Sequence, residues 1–137
     1  MKKILTLIFC IVVCIYSKEV DFLDSSGEWA VYIDTDRELT IYSWEGDPLA
    51  YLDNNFNIYG FNGKYLGWFE GGIMYNIDGY PFACVKEAYG GLAPLKPLKS
   101  LKSLEPLKSL KEMPIYRPYK KRNFGNISAE LYLSLGR

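Results

Sequence analysis

IYSWEGDPLAYLD, residues 41–53, recurs in variant form three times: FLDSSGEWAVYID at 22–34, IYGFNGKYLGWFE at 58–70 and MYNIDGYPFACVK at 74–86. A phrase repeated at a near-constant period marks a repeat architecture, in which the elements are read together and not singly. Each copy carries a turn-type residue and a glycine between two apolar runs: Ser26-Gly27, Glu45-Gly46, Asn62-Gly63 and Asp78-Gly79. Glycine accepts positive φ without strain, so such pairs between apolar runs predict two-residue hairpins. Phe22-Leu23, Ile41-Tyr42, Ile58-Tyr59 and Met74-Tyr75 mark the strand before each turn. After each glycine the fourth residue is small or modest (Val31, Ala50, Gly67, Ala83). The fifth is Tyr32, Tyr51, Trp68 or Cys84, and the sixth is Ile33, Leu52, Phe69 or Val85.

The fourth copy has no second strand of its own, since Val85 runs into Lys86-Glu87-Ala88-Tyr89-Gly90-Gly91. The strand around Val20–Asp24 supplies the missing partner and closes the ring, which removes exposed sheet edges. The expectation is an all-β domain over residues 18–91: a small closed or shallow barrel of eight short strands with pseudo-fourfold symmetry. Strict alternation puts Ala30, Tyr32, Leu49, Tyr51, Leu66, Trp68, Phe82 and Cys84 on one face. The intervening Val31, Ile33, Ala50, Leu52, Gly67, Phe69, Ala83 and Val85 take the other. Both sets are largely apolar, so both faces are expected to be covered. The small residues at the Val31/Ala50/Gly67/Ala83 position suit either convergence on a central axis or ordinary sheet packing.

At these phrases the chain resembles the fourfold β-flower domain family, and the leucine–lysine stretch that follows them is similar to that family as well. The resemblance implies a shallow, petal-like barrel with pseudo-fourfold symmetry. It brings no established activity and no catalytic residues. Its likeness in shape to tubby-like barrels suggests lipid or another apolar ligand by analogy alone. The first copy departs from the pattern, with a longer inner loop at Asp34-Thr35-Asp36-Arg37 and Ser25-Ser26 at its turn.

From residue 92 to 122 the composition changes. Leu92, Leu95, Leu98, Leu101, Leu104, Leu107 and Leu110 stand three apart, lysine follows most of them, and Pro or Ser fills the third place. A period of three does not match the 3.6 of an α-helix, and Pro94, Pro97 and Pro106 interrupt one. Polyproline II, with three residues per turn, aligns leucine, lysine and Pro/Ser in separate rows; a disordered low-complexity linker is the alternative. Residues 18–93 hold four basic and thirteen acidic side chains, a balance of −9, whereas residues 94–122 hold nine basic and two acidic, a balance of +7. The basic arm is therefore expected to fold back on the acidic domain, leucines against apolar strands and lysines near carboxylates. The other use is contact with anionic lipid or polymer at the envelope, where each lysine near a charged membrane contributes about 1 kcal/mol. Nucleic acid is not expected, because the acidic domain repels it. Residues 123–137 end in a short helix, with Ser128 as N-cap and Gly136 as stop.

Lys2 and Lys3, the apolar run Ile4–Tyr16 and Ser17 read as a signal peptide over residues 1–17, which predicts export to a periplasmic, envelope-associated or secreted location. Lipid attachment at Cys14 is the alternative, with Val13 bulkier than that reading prefers. Loss of Cys10 and Cys14 leaves Cys84 alone in an apolar strand, so no intramolecular disulfide forms and a buried, unreactive thiol is expected.

The chain has no histidine. This removes imidazole metal sites and Ser-His or Cys-His nucleophile pairs. Asp34, Asp53 and Glu70 recur at one place in their copies, where a ring of carboxylates could bind a cation, but the fourth member is Lys86 and acidic residues at strand ends are usually turn and surface positions. No catalytic residue, metal or cofactor is assigned. Tyr42, Trp44, Tyr59, Trp68 and Tyr75 are the candidate ligand-contacting aromatics, the competing reading being that they build the core. With the turn glycines Gly27, Gly46, Gly63 and Gly79 and the arm leucines Leu95 to Leu110, they complete the candidate residues. The function expected is a non-enzymatic module for lipid or another apolar ligand at the cell envelope; the alternative is a structural or protein-interaction domain whose partner is engaged through the basic arm or C-terminal tail.

Overall fold

The structure, a computed structural model, describes residues 19–137. The leader expected over residues 1–17 lies outside the described residues. Strands β1 (Glu19–Leu23), β2 (Trp29–Asp34), β3 (Thr40–Ser43), β4 (Pro48–Leu52), β5 (Asn57–Gly60), β6 (Tyr65–Glu70), β7 (Ile73–Asn76) and β8 (Pro81–Cys84) form one antiparallel barrel in sequence order. β8 returns to β1, so the all-β, fourfold closure read from the repeats is the architecture. The closing seam is thin, with Leu23 opposite Cys84 as its one registered pair. Burial raises the Cys84 thiol above its ordinary pKa, in keeping with an inert role.

The turns differ from the two-residue hairpins expected. In each, the glycine N–H donates three residues back, as from Gly46 to Ser43 O at 3.0 Å, while Ser43 N–H donates to Asp47 O at 2.9 Å. These are three-residue loops that end in a positive-φ glycine, and φ at Gly27, Gly46, Gly63 and Gly79 is 80°, 90°, 88° and 86°. Only one left-handed residue is needed, so Ser26, Glu45, Asn62 and Asp78 keep ordinary backbone.

A second correction concerns the faces. Register jumps from Phe22↔Val31 to Leu23↔Trp29, and likewise past Leu49, Leu66 and Phe82. Each copy thus has a β-bulge, which turns two successive residues to one side. Ala30, Leu49, Leu66 and Phe82 join the cluster of Val31, Ile33, Ala50, Leu52 and Ala83 instead of facing the way of the aromatics. That cluster draws on all eight strands and is the barrel interior. Tyr32, Tyr42 and Trp44, and separately Tyr51, Tyr59 and Tyr65, form aromatic patches on the outer wall.

The C-terminal helix α1 (Ala129–Leu133) closes the end of the barrel that carries the glycine turns. Ser128 Oγ caps it by accepting from Leu131 N–H at 3.2 Å. Ala129, Tyr132 and Leu133 enter the interior cluster, and the Tyr132 ring packs 4.9 Å from Phe82. The Tyr132 hydroxyl donates to Leu66 O. Asn62 N–H donates to Gly136 O at 3.0 Å, and Gly60 has no room for a side chain because Gly136 lies against it.

Candidate functional site

Residues 92–121 carry no helix or strand, yet they are fixed. The arm runs around the barrel as a belt. Ser100 and Ser103 N–H donate to Trp44 O and Gly46 O at 3.0 and 2.9 Å, Ser109 and Glu112 to Phe61 O and Gly63 O at 2.8 Å each, and Lys121 to Gly79 O at 2.9 Å. In return Trp29 Nε1 donates to Pro94 O at 2.8 Å and Trp44 Nε1 to Pro97 O at 3.0 Å. The donors Ser103, Glu112 and Lys121 stand nine residues apart, and they meet three successive turn glycines. Nine residues are three turns of an extended threefold strand, roughly 28 Å. The glycines are therefore required twice: by φ, and because a Cβ on Gly46, Gly63 or Gly79 would sit 2.0, 2.0 or 2.4 Å from the carbonyl oxygen of Leu101, Leu110 or Tyr119.

The row that faces the barrel is the lysine row. Lys99 lies 4.3 Å from the Tyr32 ring centre, and Lys102 lies 5.6 and 5.7 Å from Tyr32 and Tyr42. On the next side Lys108 and Lys111 sit 4.4 and 5.1 Å from Tyr51 and Tyr59, and on the third Arg117 is 5.6 Å from Trp68. Beneath each cation pair is a stacked aromatic pair: Tyr32–Tyr42 at 5.6 Å, Tyr51–Tyr59 at 6.2 Å and Trp68–Tyr75 at 5.2 Å. The ammonium groups end on the carboxylates at the opposite strand ends. Lys102 bonds Asp34 and Glu19, Lys111 lies 3.7 Å from Asp53, and Lys120 bonds Glu70. The recurring carboxylates are thus occupied by the chain's own lysines. Among the described residues no group of three or more His, Cys, Asp or Glu is placed to hold a metal ion.

Electrostatics follow this pairing. Burial opposes charge on Lys102, but Asp34 and Glu19 outweigh it and hold the ammonium above the usual lysine range. At Glu19 burial is again outweighed, here by Lys102 and Lys99, and the carboxyl is held below its ordinary value. Burial, with the hydrogen bond from its hydroxyl to Glu105 at 3.0 Å, pushes Tyr42 up to about 12.

The fourth side changes in all its parts at once. Leu23 and Cys84 replace the aromatic pair, Lys86 replaces the carboxylate, and Ala93 takes the arm position nine before Lys102. Tyr89 and Ala93 cover the patch there, and the Tyr89 hydroxyl approaches Gly27 where an arm carbonyl approaches the other turn glycines. Wall and arm therefore match side by side.

The leucines were expected against the strands, and here the expectation fails. Leu92, Leu95, Leu98, Leu101, Leu104, Leu107 and Leu110 are 92–99% exposed, and Met113, Tyr116 and Tyr119 continue the row outward. A lysine stem covers an aromatic face while its ammonium reaches a carboxylate, including the almost buried Asp34; leucine can satisfy only the first demand. The candidate aromatics Tyr42, Trp44, Tyr59, Trp68 and Tyr75 are all buried on the wall the arm covers.

The family model described as 4-fold beta flower protein matches residues 20–133. The chain belongs to this family. In this beta flower protein the match runs through the barrel and the belt and into α1, so the arm is part of the family's unit. Comparison with curated proteins and with solved structures finds no match in either.

Proposed function

We propose that this beta flower protein is an exported, non-catalytic module that binds lipid or another apolar surface through its row of leucines. One observation carries the reading: seven leucines, each at least 92% exposed, stand on a strand whose backbone is hydrogen-bonded to a rigid barrel. Monomeric proteins rarely leave so continuous an apolar surface without a use. A cleft of about 560 Å³ beside Leu104 and Leu107, floored by Pro48 and Phe61, adds apolar area to the same row. The interior is filled by side chains and α1, which favours an outer surface over an enclosed ligand chamber. The basic start and apolar run of residues 1–17 support export.

The arm lysines are engaged with the barrel, so anionic headgroups are not the attraction on this reading. The test is flotation of the full chain with neutral phosphatidylcholine vesicles and with vesicles containing anionic lipid, at low and high salt. Binding to both kinds at both salt levels is expected, with loss in Leu98→Gln/Leu101→Gln/Leu104→Gln/Leu107→Gln. Binding confined to anionic vesicles and abolished by salt would transfer the role to undocked lysines. Absence of binding to either vesicle would end the lipid reading.

A further inference from the structure

We propose that the outer wall of the barrel is a recognition site for an extended basic strand, filled in cis by the chain's own arm and able to take the arm of a second copy in trans. The site has three equivalent stations. Each offers a stacked aromatic pair, a carboxylate at the far strand end and, on the turn glycine, a carbonyl that accepts from the strand's backbone. Each therefore reads a strand by charge, by a flat apolar stem and by an N–H at once.

The arm answers with a spacing more specific than its period of three. Its station cations come as pairs three apart, repeated every nine residues: Lys99/Lys102, Lys108/Lys111 and Arg117/Lys120. Glu105 and Pro114 stand between the pairs. A slip of three residues in either direction brings Glu105 and Pro114 into cation positions, the glutamate among Asp34, Glu38 and Asp53. Like charges there oppose the slipped register, so the wall selects one register and not merely basic character. The fourth side supports this internally, since Lys86 stands where the other three sides have a carboxylate and the arm has Ala93 nine residues before Lys102; the neighbouring Lys96 bonds Asp21 instead, at 2.8 Å.

Nothing in the docking requires that wall and arm belong to one molecule. The two are joined through Gly90-Gly91, both exposed, and a side chain at Gly90 would meet nothing within 4 Å. All later contacts are non-covalent and can be made by an identical strand from another chain, which is the condition for exchange of an element between protomers. A short tether gives the cis arm an effective concentration on the order of millimolar, so dilute protein keeps its own arm. The second copy is the partner to which the sequence commits, because its arm carries the same nine-residue spacing. This inference does not depend on lipid binding, and its test contains no lipid.

The experiment places a specific protease site between Gly90 and Gly91 of the full chain and cleaves it after folding. The severed arm is expected to stay with the barrel on size exclusion, and a fluorescent synthetic strand of residues 92–137 is expected to exchange into it. A strand with Lys102→Gln, Lys111→Gln and Lys120→Gln should exchange at least tenfold more weakly. A strand with Leu98→Ser, Leu101→Ser and Leu107→Ser should match the unaltered one, because those side chains are 94–97% exposed. Release of the severed arm, or equal exchange of the glutamine strand, overturns the proposal. With intact chains, two differently tagged copies held near millimolar concentration should co-purify after rapid dilution; recovery of unmixed copies alone would remove the trans arrangement.

Discussion

Lys102→Met separates a belt held by paired charge from one held by apolar coverage. Methionine keeps most of the stem over Tyr32 and Tyr42 and deletes the ammonium. That ammonium bonds Glu19 at 2.7 Å and also Asp34, whose side chain is 4% exposed. Removing one member of a buried pair costs about 3–5 kcal/mol, because the remaining charge has neither water nor partner. Here the loss is smaller: Lys102 is 23% exposed, Arg37 stays 3.8 Å from Asp34, and Asp36 N–H still donates to it. An expected loss of about 2–3 kcal/mol remains. For a domain of this size that corresponds to roughly 6–15 °C in melting temperature. The comparison is Lys108→Met, whose partner Glu38 is 77% exposed and whose removal should leave stability unchanged within error.

Urea unfolding of both variants, and a double-mutant cycle of Lys102→Met with Asp34→Asn, measures this directly. A coupling of about 1.5–2 kcal/mol is expected between residues 102 and 34. If Lys102→Met is as silent as Lys108→Met, the carboxylates do not hold the arm, and the account of why lysine faces inward is wrong.

Stability should also follow pH in a defined way. The hydrogen bond from Lys120 lowers the pKa of Glu70, as the lysines around Glu19 do there, so their share of stability is whole above 4.5 and is lost as pH falls through the lowered values. Lys102 and Tyr42 are raised, so theirs is whole below about pH 10 and is lost as pH rises through the raised values. With no histidine in the chain, urea midpoints should stay level from about pH 6 to 8, and the buried Cys84 thiol, raised from its ordinary value, adds a loss of stability as pH rises past about 9; a slope near pH 6.5 would contradict this. Gly71→Ala meets nothing within 4 Å at φ 60° and should cost about 1 kcal/mol, whereas Gly63→Ala meets Leu110 O and should cost clearly more, with faster exchange of the Glu112 amide. Deleting residues 94–137 should lower the melting temperature sharply, while Leu98→Ser/Leu101→Ser/Leu107→Ser in the full chain should leave it unchanged; the opposite pattern would mean that the leucines pack after all.

The barrel was legible because its signals are local and fourfold. A glycine after a polar residue, an apolar dipeptide before it and an unpartnered last strand leave few arrangements other than a closed ring. The bulges were not legible, since Leu49-Ala50 and Leu66-Gly67 satisfy strict alternation as well as they satisfy a two-residue turn inward. Only the register across β3–β4 and β5–β6 tells the two apart. The arm departs from its sequence pattern for a different reason. Hydrophobicity taken alone sends leucine inward, but the wall had already covered its apolar face with aromatics and needed cations for Asp34, Asp53 and Glu70. A signal did exist in the sequence: the interruption of the lysine row at Glu105 and Pro114, and the joint appearance of Lys86 and Ala93.

That interruption implies a register, and the register can be tested apart from composition. Deleting Leu104-Glu105-Pro106 leaves the period of three intact, removes no lysine and costs the belt no cation–aromatic partner in composition. It nonetheless draws every later arm residue back by about 9 Å on an extended strand. Lys108 and Lys111 then fall short of Tyr51, Tyr59 and Asp53 unless the first pair lets go of Tyr32 and Asp34. The arm can serve one side or the next, but not both. Hydrogen exchange should report this as lost protection at the Glu112 and Lys121 amides, whose acceptors are Gly63 O and Gly79 O, with Ser100 and Ser103 still protected. Melting temperature should fall well below that of Leu104→Ser, which removes only an exposed side chain. Unchanged protection at Glu112 and Lys121 would show that the wall accepts any period-three basic strand, and the nine-residue spacing would then have no part in how this flower is belted.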